Sequence, residues 1–285
     1  MAYVIPVFIL LMVFMHIIKE DKLVKESRLQ KSIHKLYAVS EPLILKTLNK
    51  MISSNFIRNT RVGRGILKAI AKMLWFLPHG VVVDYEGVEN LIRWIEKQGD
   101  THIAIGPCVC KKALGVKEEP YVTDMTIFYG AEIYKEIEPE EYRYLSADEA
   151  LKLLKEFEKS GLIHEIYACC NSGKWTFVIC NCDPRYCVPT KAYLLIREGV
   201  YPGPKKAVVD ADKCKGLDEC GKCMEICPFN AIENRDGKSY VNDNCMGCGL
   251  CIERCPSNAR RLVWRKGYKS KIIPIKIMYP DFFKS

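Results

Sequence analysis

Read for the spacing of apolar and polar positions, the chain divides into five stretches. Residues 1–18, MAYVIPVFILLMVFMHII, carry no formal charge. As a helix rising 1.5 Å per residue they would cover about 27 Å, close to the thickness of a bilayer's hydrocarbon core, which predicts an apolar helix able to anchor in a membrane. In residues 19–80, Leu36, Val39, Leu43, Ile44 and Leu48 recur at three- and four-residue steps among lysines. GRGILKAIAKMLWFL repeats the theme as far as Pro78, so basic amphipathic helices are expected there.

Residues 81–204 mix short apolar runs with helical periods. VVVDYEGVENLIRWIEKQG reads as a strand and then a helix that stops at Gly99, and THIAIG as a buried strand entering GPCVCKK. SADEALKLLKEFEKSG opens on a capping box, Ser146 with Glu149, and closes on Gly161. IHEIYACC and KWTFVICNC, joined by NSG, predict a hairpin. This is the pattern of an α/β domain rich in cysteine. Residues 205–262 hold a cysteine repeat, and residues 263–285 are basic, aromatic and broken by proline, expected to run extended across a neighbour or a surface.

Composition sharpens the picture. At 285 residues and 49% hydrophobic, the chain can build two modest cores. Its 15 cysteines stand mostly in pairs and triplets, too close in sequence for ordinary disulfide partners. Such spacing suits metal, and metal-binding thiolates call for a reducing, cytosol-like compartment. Residues 19–72 carry 13 Lys/Arg against 4 Asp/Glu and residues 260–285 carry 8 against 1, so basic flanks bracket an acidic middle.

The apolar leader has no positive charge before it and no small-residue cleavage site after it, which excludes a cleaved signal peptide. The positives follow it, at Lys19, Lys22, Lys25 and Arg28, and the positive-inside rule then puts the bulk of the chain in the cytoplasm, held at the membrane by residues 1–18. The amphipathic helices either lie on that membrane face or pack on the next domain with lysines outward. Nucleic acid is not an expected partner. No Gly-rich phosphate loop, G-x-G-x-x-G or G-x-S-x-G is present, so a nucleotide site has no motif.

The chemistry is concentrated in a phrase written twice. CGKCMEICPFNAI begins at residue 220 and CMGCGLCIERCPSNAR at residue 245. The second half has Cys245, Cys248 and Cys251 two residues apart, then Cys255-Pro256. The first has Cys214, Cys220, Cys223 and Cys227-Pro228, with a gap of five residues after Cys214 and Leu217 standing where the usual first ligand would be. Three cysteines at C-x-x-C-x-x-C can wrap a cubane cluster whose fourth ligand comes from elsewhere. Zinc hooks explain neither the triplets nor the Cys-Pro ends.

On these residues the segment resembles the bacterial-type 2x(4Fe-4S) ferredoxin domain. The resemblance implies two 4Fe-4S clusters, one held by Cys214, Cys220, Cys223 and Cys255, the other by Cys245, Cys248, Cys251 and Cys227, each half-motif lending its last cysteine to the other cluster. It also implies a ferredoxin-like fold of two short β-hairpins and two short helices. The expected fold class is therefore α+β: an N-terminal helical region, the cysteine-containing α/β domain, and the dicluster domain.

Seven cysteines remain, Cys108, Cys110, Cys169, Cys170, Cys180, Cys182 and Cys187, all near predicted strand ends. A C-x-C after a strand, GLIH, ICNC and then the repeat is similar to an uncharacterised group of iron-sulfur proteins of anaerobic prokaryotes. Three readings of the set stay open: a third iron-sulfur cluster or other metal, a redox-active pair at Cys169–Cys170, or buried structural thiols. His164 could join a site there, although a lone strand histidine is more often packed. The function expected is an iron-sulfur electron-transfer protein relaying single electrons between redox proteins. The alternative is a reductive oxidoreductase with a further metal or thiol site upstream.

Overall fold

The structure, a computed structural model, describes residues 28–73, 79–98, 103–168, 178–270 and 274–283. The leader 1–18, Gly99, and the segment 169–177 with Cys169 and Cys170 lie outside the described residues. Among the described residues no helix is long and apolar enough to cross a membrane.

Three helices come first: α1 (Arg28–Ile52), α2 (Asn55–Asn59) and α3 (Arg61–Met73). They are helical and basic as their periodicity predicts, and the five apolar positions of that period divide, Ile44 and Leu48 being half-buried and the other three exposed. Ala38, Leu45, Ile52, Ile57 and Leu67 point inward, whereas Leu36, Val39 and Leu43 are exposed, Val39 by 63%. The spacing rule finds a helix; which stripe faces in depends on a tertiary partner that spacing does not contain.

The central layer is a seven-stranded sheet in the order β4-β2-β3-β6-β5-β1-β7. Its strands are β1 (His79–Val83), β2 (Ile103–Pro107), β3 (Val122–Ile127), β4 (Arg143–Leu145), β5 (Ile163–Ala168), β6 (Val178–Cys182) and β7 (Val200–Tyr201). Every pairing is antiparallel except β1 with β7. Helices alternate with strands in this stretch, as its pattern predicts, and the antiparallel pairing makes the whole a mixed helix-and-sheet fold of the α+β kind. Strands β5 and β6 are neighbours, as two arms of a hairpin would be.

Helices α4 (Tyr85–Lys97), α5 (Val109–Leu114), α6 (Tyr129–Ile137), α7 (Ala147–Lys159) and α8 (Val188–Ile196) connect the strands. Asp84 caps α4, its carboxylate accepting from the Gly87 N–H at 3.2 Å. The capping box of α7 is present in full, Ser146 and Glu149 each bonding the other's backbone N–H. One sheet face is mostly apolar: Val81, Val83, Met125, Ile127, Ile166 and Ile179 pack with Leu91, Ile92, Ile95, Leu151 and Leu154 of α4 and α7, and His164 and Asn181 are the buried polar residues on it. The other face carries Val82, Glu165, Cys180 and Cys182, and against it lie α1, α8 and the cysteine-rich domain.

That domain has strands β8 (Lys205–Val209), β9 (Ile232–Arg235), β10 (Lys238–Val241) and β11 (Arg260–Trp264), and short helices α9 (Lys222–Glu225) and α10 (Leu250–Glu253). β9 and β10 form a hairpin, while β8 pairs antiparallel with β11 and so joins the two ends of the domain rather than forming a second hairpin. The domain is pinned to the sheet by Lys205. Lys205 is only 7% exposed, and its ammonium donates to Asp84 at 2.9 Å and Glu86 at 2.7 Å and lies over the rings of Trp264 and Tyr279. Of the tail, Pro274–Met278 is helix α11 and Pro280–Phe283 a 3-10 turn, with Ile275, Met278 and Tyr279 buried against α4. A partly helical, docked tail replaces the extended one expected from its prolines.

Candidate metal centres

The two halves of the cysteine repeat fold alike. Cys220-Gly221-Lys222-Cys223 and Cys248-Gly249-Leu250-Cys251 each turn through a left-handed glycine, φ 63° and 85°, into the short helices α9 and α10. Each Cys-Pro is followed, two residues on, by a left-handed asparagine, Asn230 at φ 52° and Asn258 at φ 50°. Asparagine tolerates that region better than most residues. The two halves are thus loops of one design, each carrying its thiols on the same backbone turn.

The structure brings Cys227, Cys245, Cys248 and Cys251 onto the wall of one small cavity, with Ala207, Phe229, Ala231 and Leu250. Three of these thiols come from the second half-motif and one from the first. Backbone N–H groups already aim at the sulfurs: Ala207 donates to Cys245 Sγ at 3.3 Å and Ala231 to Cys227 Sγ at 3.4 Å. Burial pushes the Cys251 thiol up to about 12 and lifts Cys227 and Cys248 as well. Buried thiols of this kind ionise when a cation arrives to compensate the charge. The donor set fits the group its spacing implies.

Of the other four, Cys223 is buried, and Cys214, Cys220 and Cys255 are half-buried. The long gap after Cys214 is an ordered loop: the Leu217 N–H donates to the Gly237 carbonyl at 2.7 Å and Asn234 to Asp218 at 3.2 Å, tying the loop to the β9–β10 turn. Leu217 fills the place of the missing first ligand with apolar contact.

Arg260 was not visible as a site residue in the sequence. It is 5% exposed, and its guanidinium donates to Cys223 Sγ at 3.1 Å, to Ser239 Oγ, and toward Cys251 Sγ at 3.9 Å. It thus touches one thiol from each proposed ligand set. Arg265 fixes the backbone nearby, donating to the carbonyls of Gly203 at 2.9 Å, Lys205 at 3.1 Å and Cys245.

The upstream thiols also converge. Cys108, Cys110, Cys180, Cys182 and Cys187 line a second, larger chamber, walled on its far side by Ile44, Leu45, Leu48, Leu67 and Ile70 of α1 and α3. The C-x-C of β6 explains part of this, since alternate strand residues share a face. The register adds Glu165, opposite Cys180, and Asp124, opposite the same cysteine on the other side. Cys187 is the N-cap residue of α8. Burial works to raise its thiol, yet contacts with Cys110, Cys182 and Thr190 outweigh this and leave it well below the ordinary value. His164 points to the opposite face: its Nδ1 lies 2.7 Å from Asn181 Oδ1, and burial lowers it to about 4, so it is a packed, neutral imidazole.

Compared with protein families, residues 206–256 match the 4Fe-4S dicluster domain. The match covers less than a fifth of the chain and defines an iron-sulfur domain appended to a larger mixed helix-and-sheet domain. A search of curated proteins returns no match to the chain.

Proposed function

We propose that this protein is an electron carrier in which two 4Fe-4S clusters pass single electrons between redox proteins. Cys227, Cys245, Cys248 and Cys251 hold one cluster, and Cys214, Cys220, Cys223 and Cys255 the other. The observation that carries the reading is the shared cavity of Cys227 with the three thiols of the second half-motif. When bound, the clusters supply one-electron chemistry; the chain supplies ligation, burial, the N–H donors to sulfur and the Arg260 cation. The exposed Val39, Leu43, Val62 and Ile66, interspersed with Lys35, Lys46, Arg61 and Lys68, support contact of the N-terminal helices with a membrane face or a partner.

Anaerobic protein should contain at least eight irons matched by acid-labile sulfide, about four for each cluster. Cys227→Ser and Cys251→Ser should remove the same paramagnetic signal, and Cys255→Ser and Cys223→Ser the other. If Cys227→Ser instead removed the signal lost in Cys223→Ser, the crossed ligation would be wrong. A second reading, a reductive oxidoreductase, is favoured by the thiol-lined chamber in the sheet domain.

A further inference from the structure

Outside the dicluster domain, one group of donors among the described residues stands close enough together to share a single ion. The Sγ atoms of Cys182 and Cys187 and a carboxylate oxygen of Glu165 all lie within 4.8 Å of one another, and all three residues are buried. Cys187 Sγ is 3.8 Å from Glu165 Oε2. Cys110, arriving on α5, faces Cys187 and accepts the Val188 N–H at 3.5 Å.

The spacing discriminates between metals. Thiolates bind a tetrahedral ion at about 2.3 Å, which sets neighbouring sulfurs about 3.8 Å apart. A cubane attaches its cysteines to four separate irons and needs them farther from one another. We propose that Cys182, Cys187 and Glu165 form a mononuclear site for a thiophilic divalent ion, Zn²⁺ or Fe²⁺, with Cys110 standing beside Cys187 outside the ligand triangle. Two thiolates and a carboxylate give such an ion a soft-dominated set of three protein ligands, and an all-oxygen ion such as Mg²⁺ finds no match there.

The donors are held in place by partners of their own. The Glu165 carboxylate accepts from Thr190 Oγ1 at 2.8 Å and from the Tyr167 hydroxyl at 2.8 Å, leaving it a fixed orientation toward the two sulfurs. Lys111, 1% exposed, donates to the Glu118 and Pro120 carbonyls and pairs with Asp183 at 3.5 Å. This buried ion pair fastens the residue after Cys110 to the residue after Cys182. Such outer contacts are what a ligand set needs in order to stay aligned. Packed structural thiols would account for the burial of the cysteines but give no reason for an oriented, fully buried carboxylate among them.

The site is independent of the eight dicluster ligands, and the test separates the two. Clusters bring iron and sulfide in equal numbers, whereas a mononuclear ion adds metal without sulfide. Full-length protein purified without oxygen should therefore show an excess of about one iron or zinc over acid-labile sulfide per chain. In Cys182→Ser/Cys187→Ser that excess should vanish while sulfide stays unchanged. Protein stripped of the excess ion by a mild chelator and given Co²⁺ should develop thiolate-to-cobalt absorption, and Glu165→Gln should weaken Co²⁺ binding at least tenfold. Equal metal and sulfide in the wild type, with no cobalt bands, would overturn the proposal. So would an excess of four irons accompanied by four sulfides, which would mean a third cluster. Because the wild-type difference and the cobalt spectrum decide by themselves, a double variant that failed to fold would not rescue it.

Discussion

Arg260 offers the sharpest test of the electron-carrier reading. Replacing it by Gln keeps an N–H donor near Cys223 and removes the positive charge. The guanidinium lies 3.1 Å from Cys223 Sγ, so its charge stands about 6 Å from where an added electron would spread. At an effective dielectric of 20, a unit charge at about 6 Å contributes about 2.8 kcal/mol to holding that electron. For a one-electron couple about 1.4 kcal/mol corresponds to 59 mV, so Arg260→Gln should lower the potential of the cluster bound by Cys223 by on the order of 100 mV. The cluster bound by Cys251, approached only to 3.9 Å, should shift in the same direction by less. Arg260→Lys should restore most of both. The assay is a redox titration of full-length protein under argon, followed by electron paramagnetic resonance. Potentials within about 20 mV of wild type in the Gln variant, with iron and sulfide unchanged, would refute the argument that this cation tunes the clusters.

Three further outcomes are expected. Gly247→Ala should cost more than 3 kcal/mol and release about four irons, because Gly247 has φ +85° and a Cβ there would meet the Lys205 carbonyl oxygen at 2.2 Å; Gly249→Ala, equally left-handed but with no atom nearer than 3.7 Å, should cost only about 1–2 kcal/mol. Lys205→Met leaves the buried Asp84 carboxylate uncompensated and should destabilise the protein by about 3–5 kcal/mol in chemical unfolding, with Asp84→Asn in the same chain recovering most of the loss. Burial raises Glu41 to about 7 against hydrogen bonds from Tyr134 and Tyr37. The folded state then holds a proton that the unfolded state gives up above pH 4.5, so this stability is full below pH 4.5 and lost as pH rises through 7. The advantage of Glu41→Gln over wild type should accordingly grow by up to about 3 kcal/mol between pH 4.5 and 8, and an unfolding difference that is flat with pH would contradict it.

Much of the architecture was legible wherever the signal was local. The capping box at Ser146, the end of α7 at Gly161, the strand before Asp84 and the doubled cysteine phrase all depend on residues a few positions apart. The inward stripe of α1 was not legible, because Ala38 and Leu45 are chosen over Val39 and Leu43 by what α5, α6 and α8 offer on the other side. Sheet topology was hidden for the same reason: short helices between strands look alike whether the strands run parallel or antiparallel. Glu165 shows the limit most clearly. Its neighbour His164 drew the eye as a ligand type, yet the alternation of β5 turns His164 toward Asn181 and Glu165 toward Cys182. Pairing ICNC against IHEIYA, with C-x-C on one face, would have pointed to the glutamate. Arg260 had no such signal, for its partners Cys223 and Cys251 meet it only after β11 closes on β8.

The two groups of thiols share one core. Cys182 and Cys187 belong to the same buried apolar cluster as Cys223, Cys245 and Cys251, together with Val82, Ile163 and Val200 of the sheet domain. Tyr193, six residues along α8 from Cys187, meets Phe229 edge to face at 6.0 Å, and Phe229 lines the cavity of Cys227 and Cys245. At the junction the backbones themselves are in contact: Gly203 donates to the Met246 carbonyl at 3.0 Å, and a Cβ on Gly203 would meet the Val82 carbonyl oxygen at 2.2 Å. A cysteine-rich segment of this size has little apolar surface to bury alone, and here Val82, Ile163 and Val200 supply it. The sheet face that carries Glu165 and the C-x-C is therefore also the face that completes the dicluster domain.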